Sequence, residues 1–344
     1  MISSMRRRIP FLTKSESGVS PRANGIFLLD KPVGISSFQA LRPLKRAFPK
    51  TKIGHAGTLD PAASGLLLIG IGAATRLLEY MEGMTKIYSF AACFGMSSPS
   101  YDKESPMVLS EGLAAARARS LVQSDVENAL SAFRGPILQT PPAYSAIKVE
   151  GQRAYQLARA GETVTLAARN VIVHSLRLTG FTPSGPGNDG TVGAVATFEM
   201  TCSKGTYVRS LVHDLGQSLG CGAVTDQIRR LAIGPFRVEK ALALDALNTL
   251  PLSTPATLFP LESAVQHLPK AQLNEAGLIA FHFGRAVGAE GFALVPEIKD
   301  GDESISESSK ASEFCALNLS GRLIAIATLN QQGLLCPKKV LIRN

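Results

Sequence analysis

The chain has no C-x-x-C pair, and its five cysteines are scattered and odd in number. That argues against a disulfide framework and against a zinc site, and it points to a reducing compartment. No stretch approaches the roughly 18 unbroken apolar residues of a membrane-crossing helix. The opening "MISSMRRRIPFLTKSESGVSPRANG" is basic and Ser-rich but lacks the apolar centre of a secretory signal. Two readings of residues 1–24 stay open: an organelle transit peptide, and a disordered basic tail that helps hold RNA. The second is preferred. Charged residues make up only 18% of the chain against 45% hydrophobic, which excludes a disordered protein and suits a well-buried one. Internal repeats are absent.

What is present is positive charge. A net charge of +9 over 344 residues favours a polyanionic partner, either nucleic acid or an anionic surface, and says nothing about fold. The bland alternative is a soluble protein that happens to be basic. The length suits one large domain plus a small one.

Along the chain, "GIFLL" reads as a buried strand ending in the turn "DKPVG". Ser36 or Ser37 then caps a short helix with Phe38, Leu41 and Leu44 or Ala47 as its apolar face, and Pro43 predicts a kink or an early end. "SGLLLIGIGAATRLLEYM" gives an aliphatic strand, a Gly break, and a helix with Thr75 near its start. "KIYSFAACFG" reads as a strand of a large sheet. Val126, Ala129, Leu130 and Phe133 fall at the spacing of one helix face. Residues 139–161, "QTPPAYSAIKVEGQRAYQLARAG", form a poor core element and a good surface arm ending in a short helix. Val208–Leu219 reads as a helix. Beyond about residue 250, "PLSTPATLFPLESAVQHLPKAQLN" is a Pro-punctuated linker. Two β-rich pieces follow, "FGRAVGAEGFALV" and "EFCALNLSGRLIAIATLNQQGLLCPKKVLI", separated by an acidic loop at about 297–313.

One acidic residue stands apart. In "KIGHAGTLDPAASGLLLIG", Asp60 sits among small, apolar and turn-forming neighbours, and Pro61 holds it out of a helix. A loop presenting one carboxylate beside a buried strand suits a catalytic acid or nucleophile on a rigid scaffold. It equally suits an Asp that braces a turn. Arg209, in "CSKGTYVRSLVHDLG", would keep such a carboxylate ionised if it reached it, and Tyr88 or Tyr207 could lie against a flat substrate. Read alone, Arg209 is a surface charge and Tyr88 a core aromatic.

"GIFLLDKPVGISS", "GHAGTLDPAASGLL", "KIYSFAACFG", "FRGPILQTPPAYSAIKVEGQRAYQLARAG" and "CSKGTYVRSLVHDLG", followed by "GCGAVTDQIRRLAIGPF", together resemble the TruB family of tRNA pseudouridine synthases, in one order from about Gly25 to Phe236. The resemblance implies an α+β fold: a mixed, mainly antiparallel sheet flanked by helices, with a small PUA-like C-terminal β domain. It divides the chain into a tail (1–24), a catalytic domain (25–250) with an RNA-binding arm (139–161), and a β domain (251–344). It implies isomerisation of uridine 55 in the T-arm loop of tRNA, without metal or organic cofactor, by a cytoplasmic protein, expected to be a monomer, with no membrane partner.

Carried over by position, the resemblance makes Asp60 the nucleophile, Tyr88 the tyrosine against the target base, and Arg209 the partner of the aspartate. His55, Tyr207 and Ile228 border the substrate, and aliphatic walls such as Leu66 to Leu68 keep water out. Lys148 and Arg153, with Arg159, bind phosphates. Lys31 is read as supporting the fold more than touching RNA. His55 has a bland reading, bonding a carbonyl of its own loop, and a functional one, filling the stack left by an extruded base. The family's usual Thr-Asp pair after the Tyr88 strand is replaced by Ser98 and Pro99 in "FGMSSPSYDKES", with Asp102 retained. Two other functions would use parts of the same pattern: a tRNA-folding chaperone with catalysis secondary, and a uracil-releasing glycosidase.

Overall fold

The computed structural model describes residues 24–185, 193–249, 258–295 and 313–341. Nearly all of the basic tail, and all but the last residue of the acidic loop, lie outside the described residues.

Ten strands form one mixed sheet. Its order is Leu242–Ala243, Gly25–Lys31, Ser64–Ile71, Ala223–Ile233, Lys86–Phe94, Val195–Cys202, Arg169–Thr182 and Gly135–Gln139, with Ile53–Ala56 and Phe236–Arg237 attached beside it. Among the described residues, only two pairings of this sheet are parallel: Gly25–Lys31 with Leu242–Ala243, and Ser64–Ile71 with Ala223–Ile233. The mainly antiparallel α+β arrangement expected from the sequence is the one that forms.

The sheet forks where it matters for function. Along one edge, Ser64–Ile71 pairs continuously with the first strand, from Ile71 opposite Gly25 to Gly65 opposite Lys31. Its other edge is shared. Ser64 and Gly65 pair with Arg229 and Arg230, while Leu68 to Ile71 pair with Ile53–Ala56. The loop carrying Asp60 joins one of these partners, Ile53–Ala56, to Ser64–Ile71 itself and so turns at the fork. Gly65 permits the close approach: its φ is +100°, and a Cβ there would lie 2.3 Å from the Arg230 carbonyl oxygen.

The aliphatic run after the fork is covered on both faces. Successive strand residues point to opposite sides, so Leu66 and Leu68 join one core cluster while Leu67 and Ile69 join another, all four fully buried. Leu66 to Leu68 are therefore core and do not wall a substrate cavity, contrary to the sequence expectation. The side of the sheet behind the site is closed by the helix Val208–Ser218 and by Gln123–Ala129 with its 3-10 extension Leu130–Phe133. Val126 and Leu130 are buried there and Ala129 and Phe133 pack against them, as their spacing predicts.

Ser36 caps a helix of only four residues, Ser37–Ala40, and a second helix, Arg42–Ala47, restarts with Pro43 in its first turn. Proline is tolerated there because those N–H groups have no helical acceptor. The restart turns the inward face through Ala40, Leu41 and Leu44, leaving Phe38 62% exposed under the Lys45 ammonium, so Phe38 does not join the buried face. The segment after Ile71 opens as a 3-10 turn, Gly72–Leu77, that contains Thr75; the α-helix starts only at Leu78.

A second sheet has the order Phe292–Val295, Lys270–Leu273, Glu313–Leu317, Leu323–Leu329, Leu335–Val340. Two sequence expectations change here. The supposed linker contains the strand Lys270–Leu273 and a buried turn at Leu261–Ala264. Next comes a helix, Glu275–His282, capped by Asn274 through its side-chain oxygen and the Gly277 N–H at 2.9 Å. Its apolar residues surround nearly the whole helix, so no periodic stripe distinguishes it from a β-rich piece. Of "FGRAVGAEGFALV", only Phe292–Val295 is strand. The second sheet has a core of its own, with Ala271, Leu273, Phe281, Phe314 and Ala325, and a shared one: Cys315, Leu323, Ile326 and Leu341 join a cluster with Ile26, Leu28, Leu66, Leu68 and Leu77.

Candidate active site

Asp60 occupies a turn closed by the Ala63 N–H on the Asp60 carbonyl at 3.1 Å. Its neighbours are tied down from outside. The Ser37 hydroxyl donates to the Leu59 carbonyl (3.0 Å) and accepts the Leu59 N–H (2.8 Å), and the Gly34 N–H reaches Pro61 O at 2.8 Å. Lys31 is fully buried, and its ammonium donates to the carbonyls of Pro32 and Ile35 at 2.8 Å each and, more weakly, to Pro61 at 3.5 Å. Burial lowers the Lys31 pKa to about 8, against the opposing pull of the Asp60 carboxylate. Lys31 thus braces the loop, as its sequence reading has it.

The Arg209 guanidinium lies 2.7 Å from the Asp60 carboxylate. The exposures differ sharply, 4% for the arginine side chain and 40% for the aspartate, so the carboxylate is open to a substrate and its partner is not. A second carboxylate, Asp102, stands 3.5 Å from the other guanidinium nitrogen. The Ser100 and Tyr144 carbonyls each accept from Arg209 at 2.9 Å. Its buried Nε has no hydrogen-bond partner. A planar guanidinium bonded at both ends is fixed in angle as well as position. The sequence left open whether Asp60 merely braces a turn. Its carboxylate in fact points at a buried cation while its backbone makes the turn.

Arg230 was missed by the sequence reading. It is 1% exposed, beside the fork, where its Nε donates to Leu66 O (2.8 Å) and a terminal nitrogen to Gly57 O (2.9 Å). Both carbonyls belong to the segment where the split edge leaves ladder bonds unmade. Arg230 also pairs in register with Tyr88 on the neighbouring strand. In "DQIRRLAI" it alternates with Ile228 and Ala232, and a charge on an apolar face of a strand is the signal that could have found it.

Tyr88, partly buried, packs against the same core cluster as Leu59, Ala63 and Ile228. Burial raises its pKa despite the Arg230 charge, keeping the phenol neutral. Tyr207 caps the helix that carries Arg209, and its pKa too is raised, by burial first and then by Asp60. Its backbone is clasped by the buried Gln139, whose amide accepts the Tyr207 N–H at 2.7 Å and donates to Tyr207 O at 3.0 Å. No sequence signal marked Gln139. His55 lies on the strand Ile53–Ala56; its pKa is lowered by burial and then by Arg230, and its buried Nδ1 has no partner. The bland expectation, a bond from His55 to its own loop, is not what this nitrogen does.

The arm leaves this centre between Gln139 and Tyr144, both anchored to it, and ends in the helix Ala154–Arg159. Lys148 and Arg153 are exposed at its outer hairpin; one Arg153 nitrogen bonds the Ala146 carbonyl, and Arg159 lies 5.7 Å from the Tyr155 ring. The structure therefore brings Asp60, Arg209, Tyr88, Tyr207 and Ile228 around one centre, with His55 on the strand leading into the Asp60 loop and the arm cations further out. A cleft of about 710 Å³ between Met84, Gly234 and His267 holds none of these residues. Among the described residues no group of three or more His, Cys, Asp or Glu could hold a metal ion, and no helix is long and apolar enough to cross a membrane.

This fold is shared with solved structures. A Cbf5–Nop10–Gar1 complex matches with a TM-score of 0.66 at 23% identity, covering 93% of this chain and 85% of the other. An H/ACA RNP bound to a substrate RNA containing 2′-deoxyuridine matches with a TM-score of 0.64 at 21% identity, covering 92% and 85%. Sequence goes further. Residues 45–208 match the TruB family pseudouridylate synthase N-terminal domain, and residues 209–266 the tRNA pseudouridylate synthase B C-terminal domain. The tRNA pseudouridine synthase B of Novosphingobium aromaticivorans is 41% identical over 273 residues, 77% of this chain and 86% of that one. That of Pseudomonas paraeruginosa is 36% identical over 323 residues, 92% and 96%. The chain belongs to the TruB family of pseudouridine synthases.

Proposed function

We propose that this protein isomerises one uridine in the T-arm loop of tRNA, the one conventionally numbered 55, to pseudouridine, with Asp60 as nucleophile. The names of its relatives support the substrate. The observation that carries the site is a half-open carboxylate held at 2.7 Å by an arginine that solvent does not reach.

The reaction breaks the N1–C1′ bond, turns the base and joins C5 to C1′; the proton lost from C5 is matched by the one gained at N1. A base handled this way must leave its stack, so the protein replaces the lost stacking. Tyr88, Tyr207 and Ile228 supply that surface. Asp60 faces the ribose, where an ionised oxygen attacks carbon or stabilises cationic charge. Arg209 keeps the oxygen aimed. His55, neutral because burial disfavours its cation, fills the gap that the extruded base leaves in the loop. Lys148 and Arg153 bind phosphates and so position the RNA without reading its sequence. Catalysis belongs to residues 25–250, and residues 251–344 support that body. The site is complete within one chain, which supports a monomer, working in the cytoplasm where its substrate is found.

The test is Asp60→Asn with a T-arm stem-loop. Product formation should be lost while binding of the stem-loop persists; product at the wild-type rate would end the assignment.

A further inference from the structure

The loop that departs from the family pattern, Ser98 to Lys103, carries a feature that the mechanism above leaves unused. Tyr101 has a φ of +62°, in the left-handed region that a bulky residue seldom adopts. A side chain kept there is held by its surroundings. Its ring lies on the His213 ring, centroids 3.9 Å apart and planes 12° from parallel. The backbone on either side is pinned too. The Tyr101 N–H reaches Ser98 O at 3.1 Å, Tyr101 O accepts the Thr225 N–H at 2.9 Å, and the Ser98 hydroxyl donates to Asp102 O at 2.6 Å.

The geometry of the partner helix gives this stack a purpose. Arg209 and His213 lie four residues apart on Val208–Ser218, so they share one face, a turn apart. The same three-residue loop meets both. Ser100 accepts from Arg209 through its carbonyl, Asp102 presents its carboxylate to it, and Tyr101, between them, grips His213. The Ser100 hydroxyl is spent on the Asp102 carboxylate at 2.5 Å, which leaves that acid one oxygen for Arg209. We infer that the Tyr101–His213 stack is a positioning device for the reaction: it clamps the Ser100–Asp102 loop to the arginine helix and thereby fixes the guanidinium that aims Asp60. The inference rests on Asp60 and Arg209 acting as proposed. Neither ring touches substrate, and the stack works only through the arginine.

The experiment is single-turnover conversion of a T-arm stem-loop, with stem-loop affinity and melting temperature measured on each protein. Tyr101→Ala and His213→Leu should each slow conversion about tenfold, the scale of a modest misplacement of reacting groups, while affinity stays within about twofold because no binding contact is lost. Tyr101→Phe and His213→Phe keep two stacked rings and should convert at close to the wild-type rate. Tyr101→Gly accepts the positive φ without strain but has no ring, so it should be as slow as the alanine variant. The double variant should be no slower than either single one, since both remove the same contact. Wild-type rates in Tyr101→Gly and His213→Leu would overturn the clamp, as would losses that appear only in melting temperature or RNA affinity. Asp60→Asn, run alongside, separates the two ideas: if it stays active the reading of the site itself fails, and if it is dead while the ring variants are normal only the clamp fails.

Discussion

The centre around Arg209 and the arm that leaves it are built on opposite plans. At the centre, a single guanidinium meets two carboxylates and two carbonyls, and the loop it serves is tied by Ser37, Gly34 and Lys31. On the arm, Lys148 and Arg153 extend into solvent from a hairpin of two-residue strands. Bond-making needs a group fixed to a fraction of an ångström, so it is over-determined. Phosphate capture, the role proposed for the arm, needs charge more than angle, so solvated side chains would suffice. The two plans meet at Gln139 and Tyr144, which root the arm in the catalytic wall.

That contrast can be broken from either side. The largest effect should come from Asp60→Asn, at least about a thousandfold in single-turnover rate, with stem-loop affinity little changed. Arg209→Lys retains charge but cannot span Asp60, Asp102 and two carbonyls at once; a loss of about a hundredfold in the same assay is expected, again without a matching loss of binding. A lysine variant as fast as wild type would show that charge alone, and not the fork, is what the centre requires.

Lys31 gives a pH test of the over-determined side. Its folded pKa is about 8, below its ordinary value of 10.5, so between those values the unfolded chain holds more protons on it than the folded chain does. Its contribution to stability therefore rises with pH in that window. Relative to Lys31→Met, wild type should gain about 2 kcal/mol between pH 8 and 9.5 in denaturant titrations. A constant gap between the two proteins would contradict the buried ammonium. The smallest effect belongs to the arm. Lys148→Ala with Arg153→Ala should weaken stem-loop binding only about fivefold and flatten its salt dependence by about one to two units of slope, with the rate at saturating RNA intact.

The uneven legibility of the sequence follows the same division. Asp60 stood out because it lies in a short, unusual motif, and the face of Val126 to Phe133 because helix periodicity is local; Tyr88 and Arg209, a core aromatic and a surface charge when read alone, took their roles from the family resemblance of their segments. Arg230 escaped because its role depends on a fork between strands far apart in sequence. Gln139 escaped because it acts through backbone atoms of a residue remote along the chain. Leu66 to Leu68 were given to the wrong compartment, since an aliphatic run cannot tell by itself whether its faces meet helices or a cavity. The helix Glu275–His282 was hidden for a related reason: with apolar residues nearly all round, it has no stripe to read.

The core shared between the two sheets limits how the chain may be divided or moved. Cys315, Leu323, Ile326 and Leu341 complete a cluster whose other members include the first strand, so a protein ended after the second family match would present bare Ile26, Leu66 and Leu68 contacts to water. Such a fragment should be sticky and poorly soluble. For the same reason, moving the two sheets apart would expose this shared apolar cluster to water, which disfavours a hinge between them.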